Sequence, residues 1–483
     1  MNITKIHLLL NRREFKKFGD FLRSPYFNSE PRFIKLYDIL ALHGNNLSRE
    51  LIAEKFFGSP AASKELKFRK LVSEFMKLYR AFTAQTEYDK NELTKRKMEL
   101  QWLRKKKDIS GYLKLAVDTD GFIKENFDKD EEYYLELTVL HSKIYDFKDT
   151  SLDDSKNDFS IIINNYLDKY FAAMKLFLLQ RMDSLQYTAN MDTTEFRTFE
   201  KSLFEYIEIN KTVLQNEHPE IFLRYLAIRM ERNGFEQSLY DEYLEVLLKT
   251  ESLFKINENG LLLTLLNIIS KFINSGRYDL SEKVLEIGAI LQNKGIISDK
   301  GIGYVDLKII IEAAIGLGNF DWALDYMHNT KGHIKYEYPD NVYNMFTAKI
   351  LFFKHEYKSA RLLLSKISID DYIFYCEAKL IECRIAYMGS DHESVLQICE
   401  VVKKYLKSHK NIGSHFISAY SQFIDFTKKL TMIQLLLPEK HEYDYRLSTL
   451  EKEFDLLESP CYASGWLKEQ ILKAKTVERL SLK

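Results

Sequence analysis

The chain has 483 residues with 70 basic and 70 acidic side chains, and 46% of its residues are hydrophobic. That length exceeds what one compact core accommodates, and that composition excludes wholesale disorder. Because only 7 prolines and 18 glycines interrupt the chain, tight β-turns have few positions, and the composition favours an all-α fold.

The neutral total conceals an uneven distribution of charge. Residues 1–107 carry 24 Lys and Arg against 12 Asp and Glu, whereas the remaining residues carry 46 against 58. A basic segment ahead of an acidic body suggests an anionic partner for the segment, or packing of one part against the other. Residues 1–107 are therefore predicted to form a basic helical N-terminal module.

Apolar spacing predicts four helices in roughly the first 85 residues. The first helix carries apolar residues at helical spacing from Ile6 to Leu22. It ends before Pro25, because proline disfavours a helical conformation in the residue before it. The second helix has Pro31 in its first turn, where a missing N–H is tolerated, and Ser29 as its N-cap.

Two further helices complete the predicted N-terminal bundle. Gly44 is the predicted end of the second helix, and Ser48 is the predicted N-cap of a third helix, Leu51–Phe57. A fourth, longer helix begins at about Ser63 and places apolar residues on one face up to Phe82. The charged residues 86–107 are predicted to be helical as well.

The rest of the chain also shows helical spacing. Residues 108–215 are predicted to form a helical adapter or degenerate repeats, with a loop at Asp149–Lys156. Residues 216–483 contain a recurring motif followed by C-terminal capping helices. No alternating apolar and polar run bounded by turn residues is found, so almost no sheet is predicted.

Eight basic residues of the N-terminal module are candidates for contact with an anion or a nucleic acid. Such side chains neutralise phosphates, and binding of this kind weakens steeply with salt. The alternative is a solvated helix face, which most runs of charge form. The candidates lie on the first helix (Arg12, Arg13, Lys16 and Lys17) and on the fourth (Lys64, Lys67, Lys70 and Lys77).

Two segments of this module carry a family resemblance. Leu47–Phe57 followed by Leu66–Ser73 resembles the helical part of the winged-helix domains of bacterial transcriptional activators. The resemblance implies that the second of these helices enters the major groove of DNA. A winged helix also has a β-hairpin after that helix, whereas Thr83–Met98 is predicted to be helix or charged linker.

The string Ser24-Pro25-Tyr26-Phe27-Asn28 is the most distinctive short sequence of the N-terminal module. One interpretation is that Tyr26 and Phe27 are exposed and dock into a partner. The other is that both rings fill the gap between two helices at the turn that Pro25 creates. The string resembles an uncharacterised bacterial family, which implies no activity.

A short motif recurs five times in the C-terminal half, and each copy is predicted to join two helices. Gly276 and Gly318 stand where a first helix would end, and glycine accepts the left-handed conformation of such ends. The aromatic residue would pack at the entry of the second helix, and the small residue three positions later would let two helices cross closely. The aromatic or His residues are Phe235, Tyr278, Phe320, Tyr357 and His392, separated by 43, 42, 37 and 35 residues, and the small residues are Ser238, Ser281, Ala323 and Ala360.

Residues 220–410 resemble tetratricopeptide-type (TPR) repeats, in which a glycine, an aromatic residue and a small residue mark the turn and the second helix. The matching residues are Gly276 with Tyr278, Gly318 with Phe320, Ala323 and Ala360. Several steps exceed the usual period of about 34 residues, and the Trp-Leu-Gly pattern of the first helix is missing. The resemblance implies an all-α, TPR-like α-solenoid of helical hairpins whose surface holds partners.

Motifs for catalysis or metal binding are absent from the sequence. There is no HExxH, GxSxG, glycine-rich phosphate loop or paired-cysteine pattern. His328 and His333 have no close Cys, and Asp153-Asp154 and Asp370-Asp371 stand at predicted helix starts, where carboxylates favour the helix dipole. We therefore predict a non-enzymatic protein without cofactor or metal.

Cysteine usage and hydropathy bear on the compartment. The four cysteines form no CxxC pair, and Cys376 and Cys383 share one helix face, as core residues would. The first residues lack the apolar core of a secretory signal, and the richest apolar stretch, Leu261–Phe272, is interrupted by polar residues. These features predict a cytoplasmic protein with reduced thiols and no membrane segment.

Two functional hypotheses follow from these patterns. The preferred one is a non-enzymatic intracellular scaffold that binds a protein or peptide partner on its helical repeats. The alternative is a transcriptional regulator whose residues 1–107 bind nucleic acid.

Overall fold

The computed structural model describes residues 3, 6–43, 48–58, 65–148, 156–189, 192, 194–250, 258–409, 414–435, 440–457 and 461–480. Within these residues helices predominate, and the only strands are two residues long, so the predicted all-α class is confirmed. None of these helices is apolar over a length that would cross a membrane. The chain divides into two compact units, residues 1–174 and 175–483. The predicted divisions at residues 107 and 215 stay predictions.

The helices of the first unit are α1 (Ile6–Leu9), α2 (Arg12–Arg23), α3 (Pro31–His43), α4 (Arg49–Phe57), α5 (Glu65–Lys90), α6 (Glu92–Lys106), α7 (Ile109–Asn126) and α8 (Glu131–Lys148), and the boundary between the units falls within α9 (Lys156–Ala189). α2 packs against α3 and α5, and α5, α6 and α7 each pack against the next helix along the chain. Phe18 of α2 is fully buried, and its ring contacts the rings of Phe75 and Phe82 on α5. These aromatic contacts form the centre of the N-terminal core.

The first predicted helix is in fact two helices, because Asn11 caps α2. Its Oδ1 accepts hydrogen bonds from the backbone N–H groups of Arg13 (3.0 Å) and Glu14 (2.9 Å). The Glu14 carboxylate accepts in return from the N–H of Asn11 at 3.0 Å, which completes a capping box. α3 begins at Pro31, as expected, but Ser29 lies one position too early to be its N-cap.

Other local signals in this segment are confirmed. The Ser48 hydroxyl accepts from the N–H of Leu51 at 3.2 Å and caps α4, which ends at the left-handed Gly58 (φ 66°). α5 continues to Lys90, beyond the predicted apolar face. Gly44, Ser63 and residues 149–155 of the predicted Asp149–Lys156 loop lie outside the described residues, and Lys156 begins α9.

The second unit continues with helices α10 (Glu200–Ile209), α11 (Lys211–Glu217), α12 (Pro219–Asn233), α13 (Gln237–Lys249), α14 (Glu258–Asn274), α15 (Ser281–Asn293), α16 (Ile296–Lys300), α17 (Tyr304–Gly316), α18 (Phe320–Thr330), α19 (Pro339–Phe353), α20 (Tyr357–Leu364), α21 (Tyr372–Met388), α22 (His392–Ser408), α23 (Ser414–Gln434), α24 (Lys440–Asp455) and α25 (Ser464–Leu480). Its strands, β1 (Ile302–Gly303) and β2 (Ile334–Lys335), pair in parallel. The prediction of almost no sheet is confirmed for the described residues.

The helices between Pro219 and Ser408 contact one another in a regular order. Each of α12, α14, α17, α19 and α21, here called first helices, packs against the second helix of its pair: α13, α15, α18, α20 or α22. The first helices also pack against one another in chain order. Side chains at equivalent positions of neighbouring first helices are therefore close in space.

Four of the five junctions between a first and a second helix end in the same left-handed turn. At Gly318 (φ 74°) the backbone N–H donates to the carbonyl of Ile315 at 3.0 Å, and the next N–H, of Asn319, donates to Ala314 at 2.9 Å. This pair of hydrogen bonds is a Schellman motif, which satisfies the last carbonyls of the first helix. The same two bonds occur at Gly276, His355 and Ser390, whose φ angles are 104°, 65° and 56°.

The first copy of the motif is out of phase with the others by one residue. Its left-handed Gly234 (φ 97°) directly precedes Phe235, whereas the other copies have one residue between them. Consequently Leu239 is buried there and Ser238 is exposed, so Ser238 does not lie in a helix crossing as predicted. The residues five positions after the left-handed residue in the next three copies, Ser281, Ala323 and Ala360, are buried.

The aromatic residues of the motif differ in burial. Tyr278 is 71% exposed and so does not pack at the entry of the second helix as expected. Tyr357 and Phe235 do contact the end of a first helix: their ring centroids lie 5.7 Å from Phe352 and 6.2 Å from Phe272. Ring packing at these junctions is therefore variable, whereas the backbone turn is repeated.

Candidate functional site

The candidate basic residues of the first unit are exposed on two helices. Within the described residues, none of these side chains forms an ion pair or a hydrogen bond, so their charges are free to meet an external anion. Lys64 lies outside the described residues. The exposed residues are Arg12, Arg13, Lys16 and Lys17 on α2, and Lys67, Lys70 and Lys77 on α5.

The candidate lysines of α5 differ in how close they lie to α2 along the helix. Phe18 of α2 packs against the part of α5 that begins at Phe75, and Lys67 precedes Phe75 by eight residues, about 12 Å at 1.5 Å per residue. Between them, Glu74 forms an ion pair with Arg32 at 2.6 Å. Lys67 therefore lies away from the part of α5 that contacts α2, whereas Lys77 lies within that part, between Phe75 and Tyr79.

Of the two aromatic residues after Pro25, one is packed in the turn and the other is exposed. Phe27 stacks on Phe21 with ring centroids 4.2 Å apart, so this ring fills the turn between α2 and α3. Tyr26 is 88% exposed and remains accessible. Residues 83–90 and 92–98, where a wing would follow, are helical.

A charged cluster that sequence reasoning missed joins three first helices of the second unit. The Lys349 ammonium on α19 lies 2.5 Å from the Glu312 carboxylate on α17 and 3.5 Å from the Glu377 carboxylate on α21. The side chains of Lys349 and Glu377 are only 13% and 11% exposed. We call these three residues the charged ladder.

Electrostatics favours the charged forms of Lys349 and Glu312 in the charged ladder. Burial by itself lowers the pKa of Lys349. The Glu377 and Glu312 carboxylates raise this pKa by more than burial lowers it, so the net shift is upward. Burial raises the pKa of Glu312, but Lys349 and Lys308 lower it, so the net shift is downward. Since 42% of the Glu312 side chain is exposed, solvent screens its share of the attraction.

A cavity of about 300 Å³ adjoins the charged ladder. Arg384 of α21 lies in its wall and is 4% exposed. The guanidinium carbon is 4.3 Å from the ring centroid of Phe352 and 5.3 Å from that of Trp466 on α25. We call this space the Arg384 cavity, and its lining residues are Lys349, Phe353, Arg384, Tyr462, Ala463, Trp466 and Glu469.

The Arg384 guanidinium has unused hydrogen-bonding capacity. Burial lowers its pKa, against the opposing influence of Tyr462 and of nearby carboxylates. Its Nε is buried without a hydrogen-bond partner. A guanidinium has five N–H donors, so a carbonyl or carboxylate group entering the cavity would find donors in place.

Residues of the charged ladder and of the Arg384 cavity stand at the same spacing from their junctions in the sequence. Glu312, Lys349 and Arg384 each stand six residues before the left-handed residue of their own junction: Gly318, His355 and Ser390. Because the junctions repeat, the three side chains occupy equivalent positions on successive first helices. Aligning these three copies on the left-handed residue, or on the aromatic or His residue two positions later, places the three side chains in one column.

Asp371, one of the residues considered for catalysis, has a structural role. Asp371 caps α21, since its side chain accepts from the N–H of Phe374 at 3.3 Å, and it also accepts from Tyr336 and Asn341. Asp153 and Asp154 lie outside the described residues. No group of three or more His, Cys, Asp or Glu side chains in the described part of the chain is placed to hold a metal ion.

Comparisons with models of known protein families, with curated proteins and with solved structures found no match for this chain. A function therefore has to be inferred from the chemistry of its own residues. In the second unit, that chemistry consists of the charged ladder and of the neighbouring Arg384 guanidinium, which is buried against aromatic rings.

Proposed function

We propose that the protein is a non-enzymatic intracellular scaffold whose second unit is a TPR-like α-solenoid that binds a protein or peptide partner. One observation carries this proposal: Glu312, Lys349 and Arg384 occupy one register on three successive first helices and end at a cavity. A repeated register produces a continuous surface, and continuous surfaces are what helical arrays use for binding.

The order of helix contacts supports the solenoid. First helices pack against first helices, and each also packs against its own second helix, as in an array where each repeat contacts only its neighbours. Four junctions share the same Schellman turn, so the hairpins repeat in backbone geometry although their spacing drifts.

The Arg384 cavity supplies the anchor for the partner. Arginine and aromatic residues dominate the energetics of protein interfaces, because they combine large apolar area with directed hydrogen bonds. Arg384 presents both features, together with the rings of Phe352, Phe353 and Trp466. A partner carbonyl or carboxylate would contact the guanidinium while an apolar side chain covers Phe353.

The test begins with affinity capture of partners from the native cell by the full chain, with and without nuclease. Each captured protein is then purified, and its affinity is measured for the wild type and for Phe353→Ala, which removes a partly exposed ring of the Arg384 cavity. We expect capture to resist nuclease and Phe353→Ala to weaken binding about tenfold or more.

The matched control is Leu362→Ala on α20, an exposed apolar residue of the adjacent second helix. This variant should bind the partner as the wild type does. An equal loss of affinity in Phe353→Ala and Leu362→Ala would contradict the proposal. Captured partners that do not bind the second unit would contradict it as well.

A second function has its own supporting observation. Seven candidate cations on α2 and α5 are exposed and free of ion pairs within the described residues. Such free cations are what phosphate binding requires, so we propose nucleic-acid-dependent regulation as the alternative.

The alternative is tested by titrating the full chain with duplex DNA and with RNA at several salt concentrations. A quadruple change of Arg12, Arg13, Lys16 and Lys17 to Gln should reduce both affinity and the salt slope. The triple change of Lys67, Lys70 and Lys77 to Gln tests in the same way whether α5 contributes to affinity and to the salt slope. Absence of salt-dependent binding at low ionic strength would remove this alternative.

A further inference from the structure

Two ion pairs join α6 and α8 of the first unit. The Lys97 ammonium on α6 lies 2.7 Å from the Glu136 carboxylate on α8, a separation of 39 residues along the chain. Farther along both helices, Arg104 approaches Asp146 at 4.0 Å. Since both pairs advance in the same chain direction, the two helices run parallel.

Two further cations lie beyond the first ion pair. Arg104 and Lys143 are each seven residues, or about two helical turns, beyond Lys97 and Glu136 on their own helices. Arg104 pairs with Asp146, which follows Lys143 by three residues, so Lys143 lies about one turn from that pair. An anion placed between the two cations is attracted by both.

A cavity of about 430 Å³ opens beneath these cations, between α6, α7 and α8. Its volume lies within the range of small-molecule sites, about 300–1,000 Å³. Arg104 and Lys143 both line it. Its floor consists of buried side chains with large apolar surfaces: Leu93, Leu100, Tyr112, Ile123 and Leu140.

The charges around the opening do not balance. Lys97 is neutralised by Glu136. The carboxylate nearest to Arg104 is the exposed Asp146 at 4.0 Å, and Lys143 has no ion pair among the described residues. The rim is therefore positive above an apolar floor.

We propose that this cavity binds an amphipathic monoanion, an aliphatic chain ending in a carboxylate. The carboxylate lies between Arg104 and Lys143, where both cations attract it and donate charge-assisted hydrogen bonds to it. The aliphatic chain covers the buried floor and removes apolar surface from water. Neither half of this ligand alone satisfies the site.

The experiment measures binding of decanoate to the full chain by isothermal titration calorimetry. Decanol tests the apolar chain without the charge, acetate tests the charge without the chain, and decyltrimethylammonium tests the opposite charge. Decanoate should bind at least about tenfold more tightly than each of these. Equal affinity for decanol, or no binding of decanoate, would overturn the proposal.

Variants locate the site. Arg104→Gln and Lys143→Gln should each weaken decanoate about tenfold and leave decanol unchanged. Val139→Phe fills the cavity and should abolish decanoate binding, with circular dichroism showing that the helices persist. Lys114→Gln, an exposed lysine of α7 outside the cavity, is the control and should bind as the wild type. Decanoate binding that survives all three cavity variants would place it elsewhere and refute the assignment.

Discussion

Lys349 and Arg384 occupy the same position of successive first helices, yet among the described residues only Lys349 has carboxylates within 4 Å of its charged group. Lys349 lies between Glu312 and Glu377, whereas Arg384 lies against aromatic rings beside a cavity. The repeat thus places two cations in one row and gives them different surroundings. Lys349 joins three helices through its ion pairs, and Arg384 has a buried Nε without a hydrogen-bond partner.

Removing the lysine of the charged ladder should destabilise the second unit. We expect Lys349→Met to lower the free energy of unfolding by about 2–4 kcal/mol, because the buried Glu377 carboxylate loses its lysine. Urea denaturation followed by circular dichroism measures this change. Lys308→Met is the control: its ion pair with Glu312 is 4.0 Å long and exposed, so its loss should matter by about 0.5 kcal/mol or less. Similar effects of the two variants would contradict this account of the ladder.

Two neighbouring glycines should respond to alanine in opposite directions. A methyl group at Gly316 or at Gly318 would meet no atom within 4 Å, so only the backbone distinguishes them. Gly318 is left-handed, and Gly318→Ala should cost about 1–2 kcal/mol. Gly316 is the last residue of α17, and Gly316→Ala should stabilise by about 0.5–1 kcal/mol. Thermal unfolding of both variants measures the difference, and a stabilising Gly318→Ala would disprove the left-handed turn.

The phase shift of the first motif copy predicts a contrast between two small residues. Ala360 is fully buried, so Ala360→Leu should overpack the contact and cost about 1–3 kcal/mol. Ser238 has the equivalent place in the sequence motif but is exposed, so Ser238→Leu should change stability by about 0.5 kcal/mol or less. Denaturation midpoints of the two variants decide the matter. A large loss in Ser238→Leu would mean that the first copy is in phase after all.

The cysteines should be protected by the fold. All four are free and buried, and burial raises the pKa of Cys376 from 9.0 to about 12. The folded protein should therefore leave Cys376 unreactive toward a thiol-specific disulfide reagent even at about pH 10, and four thiols should react in urea. Counting released thiolate by absorbance, with peptide mapping of Cys376, measures this.

The same shift has a consequence for stability at alkaline pH. Because the folded pKa is raised, the contribution of neutral Cys376 is complete below pH 9 and declines as the pH rises from 9.0 to about 12. Across that window the Cys376 thiol ionises in the unfolded chain but stays neutral in the folded protein. Rapid labelling of Cys376 in the folded protein near pH 8 would contradict its burial.

The sequence predicts a helix boundary correctly where a single residue determines the local backbone conformation. Ser48 caps α4 because its hydroxyl reaches an N–H three residues away, which any chain context permits. The break at Asn11 was missed, although Asn11 and Glu14 have capping-box spacing, because apolar periodicity continues across it. The winged-helix and TPR resemblances stay predictions, since no comparison matches the chain.

The sequence by itself determined the helical class, the repeated junctions and the uneven charge, because helix ends and left-handed turns depend on hydrogen bonds within a few residues. Only the tertiary structure decided which charges meet. Arg384 reaches Trp466, and Lys97 reaches Glu136, across long stretches of chain. Contacts of that kind depend on how helices pack, and burial then sets how strongly each charge requires a partner.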